Sequence, residues 1–388
     1  MDKERKHIVF LARWYPHRYD PMLGLFVQRH AEAAAIYNDV SVIYVHSTDS
    51  TDAIHRVSPK YEIVHDTKCT DAIHRVSEIR VYYRKSKSKI ISFLRFLKAN
   101  RLALKRLPKP DFIHVHVLTR LGVIALWHKI VHGTPYIITE HWSRYLPGND
   151  FSGFLRKKLT KLVVKHASAV TTVTDILAKA MQSHGLKNDN YVIVPNVVDT
   201  DMFKPMPHHN EVPKIVHISC FENKSKNITG LIDALQILED NGIAFQCVLI
   251  GDGIDFAMIK DYSKKLRHQE NIRFTGVLEG QDLIGELASG DFMVLSSDYE
   301  TQGVVLLEAF ACGLPVVATN VGGIPEIVNA TNGILVPPHD AAQLATAIQT
   351  MLQNYQTYNS ATLRDPIIKK FSNEPVGKLL NSLYFNTF

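Results

Sequence analysis

Cysteine is scarce and scattered in this chain. Its four cysteines, Cys69, Cys220, Cys247 and Cys312, include no C-x-x-C pair. This distribution argues against a disulfide framework and against a zinc knuckle, and it is typical of a protein of the reducing cytoplasm. Apolar runs of transmembrane length are also absent, so the sequence predicts no membrane-spanning helix. We therefore expect a cytoplasmic protein.

The N-terminus does not fit a secretory signal peptide. Its apolar stretch, Ile8–Ala12, is too short, and no small-residue cleavage site follows it. We expect this stretch to form a first buried strand. The chain has 388 residues, of which 46% are hydrophobic and 21% are charged. These values are ordinary for a globular protein with a substantial core, and the length predicts two or three domains.

Charge is distributed unevenly along the chain. Residues 1–205 contain 32 Lys and Arg against 18 Asp and Glu, a net charge of +14. Residues 206–388 contain 12 against 20, a net charge of −8. A basic half and an acidic half suggest two domains with different partners. The polar, proline-rich segment 195–207 lies between them, so we place a linker there and the boundary at Pro205.

Short β-branched strands alternate with helical patterns through most of the chain. This alternation predicts parallel sheets covered by helices on both faces. Twelve strands are too many for one doubly wound sheet, so we predict an α/β protein with Rossmann-like domains at 1–205 and 206–370. The predicted strands are His7–Ala12, Val40–His46, Phe112–His116, Tyr136–Thr139, Ala169–Val173, Tyr191–Val194, Lys214–Ser219, Phe245–Ile250, Ile272–Thr275, Phe292–Ser296, Pro315–Thr319 and Gly333–Val336.

Residues 79–110 contain eleven Lys and Arg and no acidic residue. Within this segment Ile, Phe and Leu are interleaved with basic residues at helical spacing. One interpretation is a core-facing helix with a solvated basic face. The other is a surface that holds the protein on anionic lipid, and one helix can serve both purposes. Nucleic acid is not expected as a partner, because no binding motif accompanies the charge.

The octapeptide TDAIHRVS occurs twice, at 51–58 and at 70–77. Two copies are too few for a solenoid. A duplication in a tolerant surface loop is the simpler interpretation, since loops accept insertions at small entropic cost. A loop enlarged beside a binding cleft is the functional alternative.

A helix start near Gly303 is the strongest chemical signal. The predicted strand 292–296 leads into a polar loop, and a helix follows Gly303. Glycine lets the backbone approach a ligand there, where free N–H groups and the helix dipole favour a phosphate. Glu300 and Glu308 flank this start, Glu300 on the loop at the carboxyl end of a strand and Glu308 on the helix. Such carboxylates suit the hydroxyls of a sugar and a ribose on either side of a diphosphate.

Several motifs in one order make the chain recognisable. They are WYPHRYDPMLGLFVQRH, PDFIHVH, TPYIITEH, VIVPNVVDTDMFKP, IGDGID and the Glu-x7-Glu pair that continues into EAFACGLPVVAT and GGIPEIV. This series closely resembles family 4 of the retaining glycosyltransferases over nearly the whole chain. The resemblance implies a GT-B fold, in which two Rossmann-like domains face a central cleft and a C-terminal helix, within 371–388, packs back on the first domain. Val376, Leu379, Leu380 and Leu383 have the helical spacing for such packing.

The resemblance also implies roles in binding a nucleotide-diphosphate sugar. Glu300 would bind sugar hydroxyls and Glu308 the ribose, while Lys226 would neutralise the diphosphate, with Lys224 as the substitute. An arginine that usually precedes this lysine is absent, and Cys220 occupies its place. Further donor-binding candidates are Gly24, Asp252, Thr301, Gln302 and Gly303. Asp252 is equally suited to capping the turn after its strand.

Acceptor-side candidates lie in the first half of the chain. The resemblance places His141 near the transferred sugar, so His141, Lys226 and Glu300 are the candidate catalytic residues. His116, which ends a strand, is either structural or on the acceptor side. Asn196 is equally suited to a turn or to the cleft.

The resemblance implies a metal-independent, retaining transfer of a hexosyl-type sugar. The acceptor hydroxyl would belong to a glycan or a lipid-linked precursor of the cell envelope or an exopolysaccharide. We expect no cofactor and no metal, since no Asp-x-Asp motif is present to bridge a diphosphate. Two alternatives stay open on the same fold: a nucleotide-sugar epimerase or hydrolase, and a non-catalytic protein that binds a nucleotide sugar.

Overall fold

The computed structural model divides into two compact units. The N-terminal unit comprises Met1–Val197 and Asn373–Phe388, and the second unit comprises Val198–Ser372. The division precedes the expected boundary at Pro205, because Val198 and Phe203 pack in the core of the second unit. The residues that the structure describes are 5–48, 61–69, 75–118, 120–148 and 151–386.

The N-terminal unit is built on a sheet of eight strands in its described residues. They are β1 (His7–Ala12), β2 (Asp39–Thr48), β3 (Tyr61–Cys69), β4 (Arg75–Arg84), β5 (Phe112–His116), β6 (Tyr136–Glu140), β7 (Ala169–Thr172) and β8 (Tyr191–Ile193). Their order across the sheet is β3-β4-β2-β1-β5-β6-β7-β8. Strands β3 and β4 are antiparallel, and the other neighbours are parallel, as the strand–helix alternation predicts.

Helices cover both faces of this sheet. They include α1 (Leu25–Ala35), α2 (Lys89–Leu104), α3 (Arg120–His132), α4 (Phe154–His166) and α5 (Asp175–Ser183). Alternate side chains of β1 point to opposite faces, so Val9 and Leu11 enter one apolar cluster while Ile8 and Phe10 enter another. A strand buried on both faces must be apolar throughout, which explains the unbroken apolar run Ile8–Ala12 after the charged first residues of the chain.

The strands β3 and β4 were not predicted from the sequence. The first copy of TDAIHRVS lies outside the described residues, but the second copy ends inside β4. Its Val76 pairs with Val40 of β2 and is buried. A surface loop is therefore the wrong interpretation for the end of the second copy.

The basic segment 79–110 contains part of a buried strand and then a surface helix. Ile79, Val81 and Tyr82 of β4 are core residues, so they are unavailable to a lipid surface. Helix α2 buries only Ala99, Asn100 and Ala103 among its described side chains, whereas its apolar residues Ile90, Ile91 and Leu94 are exposed. Within the described ranges, no helix has the length and apolar character needed to cross a membrane.

The second unit is a six-stranded parallel sheet in order β11-β10-β9-β12-β13-β14. Its strands are β9 (Lys214–Ile218), β10 (Gln246–Ile250), β11 (Ile272–Gly276), β12 (Phe292–Leu295), β13 (Val316–Thr319) and β14 (Gly333–Val336). Its helices are α6 (Asn223–Lys226), α7 (Ile228–Asp240), α8 (Phe256–Tyr262), α9 (Gly280–Ala288), α10 (Val304–Ala311), α11 (Ala341–Asn354) and α12 (Ser360–Phe371). Strand order reverses between β9 and β12, which is where open α/β sheets bind ligands.

The last helix, α13 (Asn373–Asn386), returns to the N-terminal unit. Its residues Val376, Leu380 and Leu383 are buried in the same apolar cluster as α1. The approach to α1 is close, because a Cβ on Gly377 would lie 2.2 Å from the carbonyl oxygen of Ala33. The helical spacing at the C-terminus thus predicted this packing correctly.

Candidate functional site

Gly303 is the N-terminal cap of α10 and has the left-handed backbone conformation, with φ of 75°. The turn directs the chain from the loop after β12 into α10, and the first N–H groups of a helix have no carbonyl partner within it. Thr301 is half-buried and Gln302 is buried beside this turn. The structure therefore places the three predicted phosphate-loop residues together at a helix start.

Glu300 forms an ion pair with Lys226, on the same loop side of the sheet. The Lys226 ammonium contacts the Glu300 Oε1 atom, and the Ser297 hydroxyl donates to the same oxygen over 2.9 Å. The side chains of the pair are only 17% and 14% exposed. Ser296 fixes the lysine backbone by donating to the Lys226 carbonyl oxygen at 2.9 Å. Two predicted catalytic residues, 74 positions apart, are thus in direct contact.

Lys226 is charged in this arrangement. Burial acts to lower its pKa, but the Glu300 carboxylate outweighs burial and raises the pKa above the ordinary value. His217 of β9 is fully buried nearby, and burial lowers its pKa to about 4, so that its ring is neutral. His217 and Ser297 were not among the predicted site residues, because only their contacts with β12 and with Glu300 reveal them.

Glu308 lies one turn into α10 and is only 6% exposed. The loop that carries Glu300 is packed tightly against the segment after β13, because a Cβ on Gly322 would lie 1.7 Å from the Glu300 carbonyl oxygen. Gly322 also has a φ of 50°. The first glycine of the GGIPEIV motif therefore allows the backbone contact that positions Glu300.

Other predicted donor residues of the second unit have different surroundings. Lys224 is exposed, and among the described residues it has no hydrogen bond or ion pair. Cys220 is exposed as well. The Asp252 carboxylate accepts the Gly253 N–H over 2.7 Å, so it does cap its own turn. A Cβ on Gly253 would lie 2.6–2.8 Å from backbone atoms of Phe221, which explains the second glycine of the IGDGID motif.

Gly24 has a structural explanation in the N-terminal unit. It caps the N-terminus of α1 with φ of 72°, and a Cβ there would lie 2.4 Å from the carbonyl carbon of Trp14. Any side chain would therefore collide with the backbone, whether or not a donor binds nearby.

A buried histidine cluster, defined here as His30, His116 and His141, lies at the carboxyl ends of β5 and β6. The His116 Nδ1 and His141 Nε2 atoms are 3.1 Å apart, and His141 Nδ1 is 3.0 Å from the Asn196 side-chain oxygen. The two predicted acceptor-side residues, His116 and Asn196, and the predicted catalytic residue His141 thus form one hydrogen-bonded chain. His30 of α1 was missed, because its position on a helix gave no signal of this contact.

Burial keeps the rings of the cluster neutral. It lowers the pKa of His30 to about 4 and the pKa values of His116 and His141 well below 6.5. A neutral His141 that donates from Nδ1 to Asn196 accepts at Nε2, and His116 Nδ1 is then the donor. His116 Nε2 is left as a buried acceptor without a hydrogen-bond partner in the described part of the chain, and so is His30 Nδ1.

The cluster also has the donor atoms of a metal site. One ring nitrogen from each histidine lies within 4.8 Å of the others. Neutral imidazole nitrogens suit Zn²⁺ and other late transition metals. We expected no metal ligands from the sequence, and this group was not recognised there because His30, His116 and His141 are far apart in the chain.

Glu140 organises the loop that presents His141. Its carboxylate accepts N–H groups from Leu118, His141 and Trp142 at 2.9–3.0 Å. Burial nevertheless raises the pKa of Glu140 to about 7. The residue before Leu118, Val117, has a φ of 67°, a strained conformation for a β-branched residue. The backbone at the ends of β5 and β6 is thus held by specific contacts, as is common at binding sites.

Comparison with known families assigns both halves of the chain. Residues 199–364 match the family model described as Glycosyl transferases group 1. Residues 38–202 match the model described as Glycosyltransferase Family 4. The two matches adjoin near residue 200, close to the division between the compact units.

Curated relatives are distant in sequence. The chain is 26% identical over 292 residues to N-acetyl-alpha-D-glucosaminyl L-malate synthase of Bacillus anthracis, a match that covers 71% of this chain and 74% of that protein. It is 29% identical over 271 residues to the sulfoquinovosyl transferase of Arabidopsis thaliana, covering 64% of this chain. That match spans about half of the plant protein, 51% of its length.

Solved structures share the whole fold. Sucrose-phosphate synthase from Thermosynechococcus elongatus superposes with a TM-score of 0.76 at 19% identity, covering 98% of this chain and 99% of that one. HepE of Anabaena, solved in complex with UDP, superposes with a TM-score of 0.69 at 17% identity, covering 98% and 100%. These matches show the GT-B fold of the glycosyltransferases. With the two family matches running together from residue 38 to residue 364, the chain belongs to the group 1 glycosyl transferases.

Proposed function

We propose that the protein transfers a sugar from a nucleotide-diphosphate sugar to a hydroxyl acceptor with retention of the anomeric configuration. The observation that carries this proposal is the buried Lys226–Glu300 pair beside the helix start at Gly303. A cation and free N–H groups suit a diphosphate, and a carboxylate on the same loop suits sugar hydroxyls. Structures of HepE with UDP and with UDP-glucose support this class of donor.

We propose that each residue of this group binds a different part of the donor. Lys226 and the backbone N–H groups near Gly303 stabilise the charge that develops on the departing diphosphate. Glu300 accepts hydrogen bonds from sugar hydroxyls, and Glu308 accepts them from the ribose. Thr301 and Gln302 offer backbone donors to the sugar and the diphosphate.

We propose a front-face transfer without a protein nucleophile. The acceptor oxygen attacks the anomeric carbon on the side from which the diphosphate leaves, and the leaving phosphate takes the acceptor proton. His141 is neutral and both of its ring nitrogens carry hydrogen bonds in this structure, so it acts on the sugar by the packing of its ring rather than by charge. His116 and Asn196 position its ring through the hydrogen bonds described above. No step requires a metal ion.

We propose further that the protein works at an anionic membrane surface, in the synthesis of a cell-envelope glycan or an exopolysaccharide. The exposed apolar residues of α2, Ile90, Ile91 and Leu94, lie among lysine and arginine side chains. Such a surface gains affinity from apolar contact and from charge together.

A thermal-shift panel tests the donor proposal. UDP-, GDP- and ADP-sugars are compared at equal concentration, with the matching nucleoside monophosphates as controls. A true donor at 100 times its Kd stabilises the fold by about 2.7 kcal/mol. The protein is then incubated with the best donor, and release of free or epimerised sugar without acceptor would identify a hydrolase or an epimerase instead. No stabilisation by any nucleotide sugar would contradict the proposal.

A further inference from the structure

A cavity of about 430 Å³ lies within the N-terminal unit, bordered by the end of β1, the start of α3, the loop after β6 and α4. Four arginines line it: Arg13, Arg120, Arg144 and Arg156. Among the described residues, none of these arginines forms an ion pair with a carboxylate. We call this cavity the arginine pocket.

The positive charges in the arginine pocket are close enough to affect one another. Burial, then the charges of Arg144 and Arg120, lower the pKa of Arg13. The charge of Glu140 offsets this effect in part, and it also acts on Arg144, so one negative charge is shared between two of the four arginines. Four like charges gathered around so little negative charge are costly, and an anionic ligand would relieve that cost.

Aromatic rings orient the guanidinium groups. Arg144 lies over the Trp142 ring at 3.7 Å from its centroid, and Arg13 approaches the same ring at 5.1 Å. Arg120 lies 5.7 Å from the Phe93 centroid. Contact with an aromatic face leaves the N–H groups available at the edge of the guanidinium. The buried Nε of Arg144 has no hydrogen-bond partner within the described ranges.

An apolar surface continues from the arginine pocket. Leu155 and Leu159 of α4 line the pocket and are also exposed, at 69% and 40%. Phe154 is 83% exposed and Leu162 45% exposed on the same helix. Isolated exposed apolar side chains are common, but a row along one helix that leads into an arginine-lined cavity is not. A ligand with an anionic group and an attached apolar chain would use both features.

We propose, on the basis of the transferase function proposed above, that the arginine pocket binds the phosphate or diphosphate group of a lipid-linked acceptor. Arginine forks match phosphate oxygens in two-point hydrogen bonds. The lipid chain lies along the exposed apolar residues of α4. The acceptor would thus be an amphiphile held by its phosphate, with its sugar or hydroxyl directed to the reaction.

Direct binding of farnesyl diphosphate to the full chain tests this proposal. Titration calorimetry below the critical micelle concentration compares it with inorganic diphosphate and with dodecyl maltoside, an uncharged amphiphile. We expect farnesyl diphosphate to bind at least tenfold more tightly than inorganic diphosphate, and dodecyl maltoside to show no saturable binding. Equal affinity for inorganic diphosphate, or saturable binding of dodecyl maltoside, would overturn the proposal.

Paired variants locate the binding. Arg120→Gln with Arg156→Gln removes two exposed charges from the pocket, and Lys187→Gln with Lys378→Gln removes two charges that are also exposed but lie elsewhere in the same unit. We expect the pocket pair to weaken farnesyl diphosphate by about 10–100-fold, since each charged hydrogen bond contributes roughly one factor of ten. The control pair should change it less than about threefold by loss of net charge alone. Equal effects of both pairs would show nonspecific attraction and overturn the proposal.

Donor binding separates this proposal from the proposed function. The pocket pair should bind the stabilising nucleotide sugar as the unaltered protein does, which also shows that the variant is folded. If a nucleotide sugar binds and farnesyl diphosphate does not, the acceptor proposal alone is wrong. If farnesyl diphosphate binds and no nucleotide sugar does, the transferase proposal is wrong, whereas the pocket is a phosphate site.

Discussion

Replacing Glu300 by glutamine tests the division of roles in the second unit. In the structure, the Glu300 carboxylate holds Lys226 and receives the Ser297 hydroxyl. On the proposed roles, the diphosphate takes Lys226 and the sugar hydroxyls take Glu300. The carboxylate therefore competes with the diphosphate for the lysine and at the same time binds the sugar. Glu300→Gln changes these two contributions in opposite directions.

The expected magnitudes follow from hydrogen bonding to charged groups. A bond from a hydroxyl to a carboxylate contributes roughly 1.5–3 kcal/mol. Glutamine keeps an oxygen of similar size but loses that charge, so the sugar donor should bind about 10–100-fold more weakly. Bare nucleotide diphosphate should bind as well as before or more tightly, because Lys226 no longer has a charged partner. Glu308→Gln should weaken both ligands alike, since both carry the ribose.

Calorimetry on folded protein measures these affinities. UDP and UDP-glucose are suitable first ligands, and the thermal-shift panel replaces them if another base is preferred. Lys264→Ala is a matched control for the loss of an ion pair, because Lys264 and Asp261 form an exposed pair in the same unit. Exposed pairs contribute about 0–1 kcal/mol, so this variant should bind both ligands normally.

One result would refute the reasoning about Glu300. If Glu300→Gln weakens the bare nucleotide as much as the sugar donor, the carboxylate does not act on the sugar. It would then serve mainly to shape the diphosphate site through Lys226. Unchanged affinities in both Glu300→Gln and Glu308→Gln would contradict the donor site as a whole.

Three further predictions concern metal ions, lipid and pH. Turnover should persist after exhaustive chelation. If chelation instead abolishes turnover, zinc restores it, and His30→Ala shows no such response to chelation, the histidine cluster holds a required metal. The protein should float with anionic vesicles at low salt and detach at high salt, and Ile90→Ser with Leu94→Ser should weaken flotation, whereas binding that ignores salt would contradict the electrostatic part. The free energy of unfolding should rise from pH 4 to pH 6.5, because buried His30 and His217, with pKa values of about 4, hold fewer protons than in the unfolded chain. The raised pKa of Glu140, about 7, acts in the opposite direction, but Glu140 is one group against several histidines. Urea unfolding measures the balance, and a lower free energy of unfolding at pH 6.5 than at pH 4 would contradict it.

Most of the parallel strands were predictable because their side chains are buried on both faces, as in β5, β6, β7, β12 and β13. Each of the twelve predicted strands is present, with ends that differ by two residues at most. Strand β4 was not predicted because an ion pair inside the sheet hides the alternation of apolar and polar residues. Glu78 is only 3% exposed and contacts Arg80, and it also accepts a hydrogen bond from the buried Tyr15 hydroxyl. From the sequence alone, a charged pair buried in the sheet is indistinguishable from charged residues at the surface.

The site was predictable where one motif holds its residues close in the chain. Glu300, Gly303 and Glu308 lie on one loop and one helix, so spacing alone indicated a common ligand. The histidine cluster required tertiary structure, because its members come from α1 and from the ends of β5 and β6. The arginine pocket is similar, since Arg13 and Arg156 are separated by most of the N-terminal unit. Contacts of that kind leave no local pattern.

Helix α6 decides which lysine can replace the missing arginine of the family pattern. Lys224 and Lys226 are two positions apart on a single helical turn, so their side chains point about 200° apart. Lys226 points to Glu300, and Lys224 is exposed to solvent. Lys224 therefore cannot add a second cation on the Glu300 side without unwinding this turn, and Cys220 carries no charge to compensate. On the proposed mechanism, the leaving diphosphate depends on one lysine and on the N–H groups at the start of α10, so this protein should be more sensitive to the loss of Lys226 than a relative with both cations.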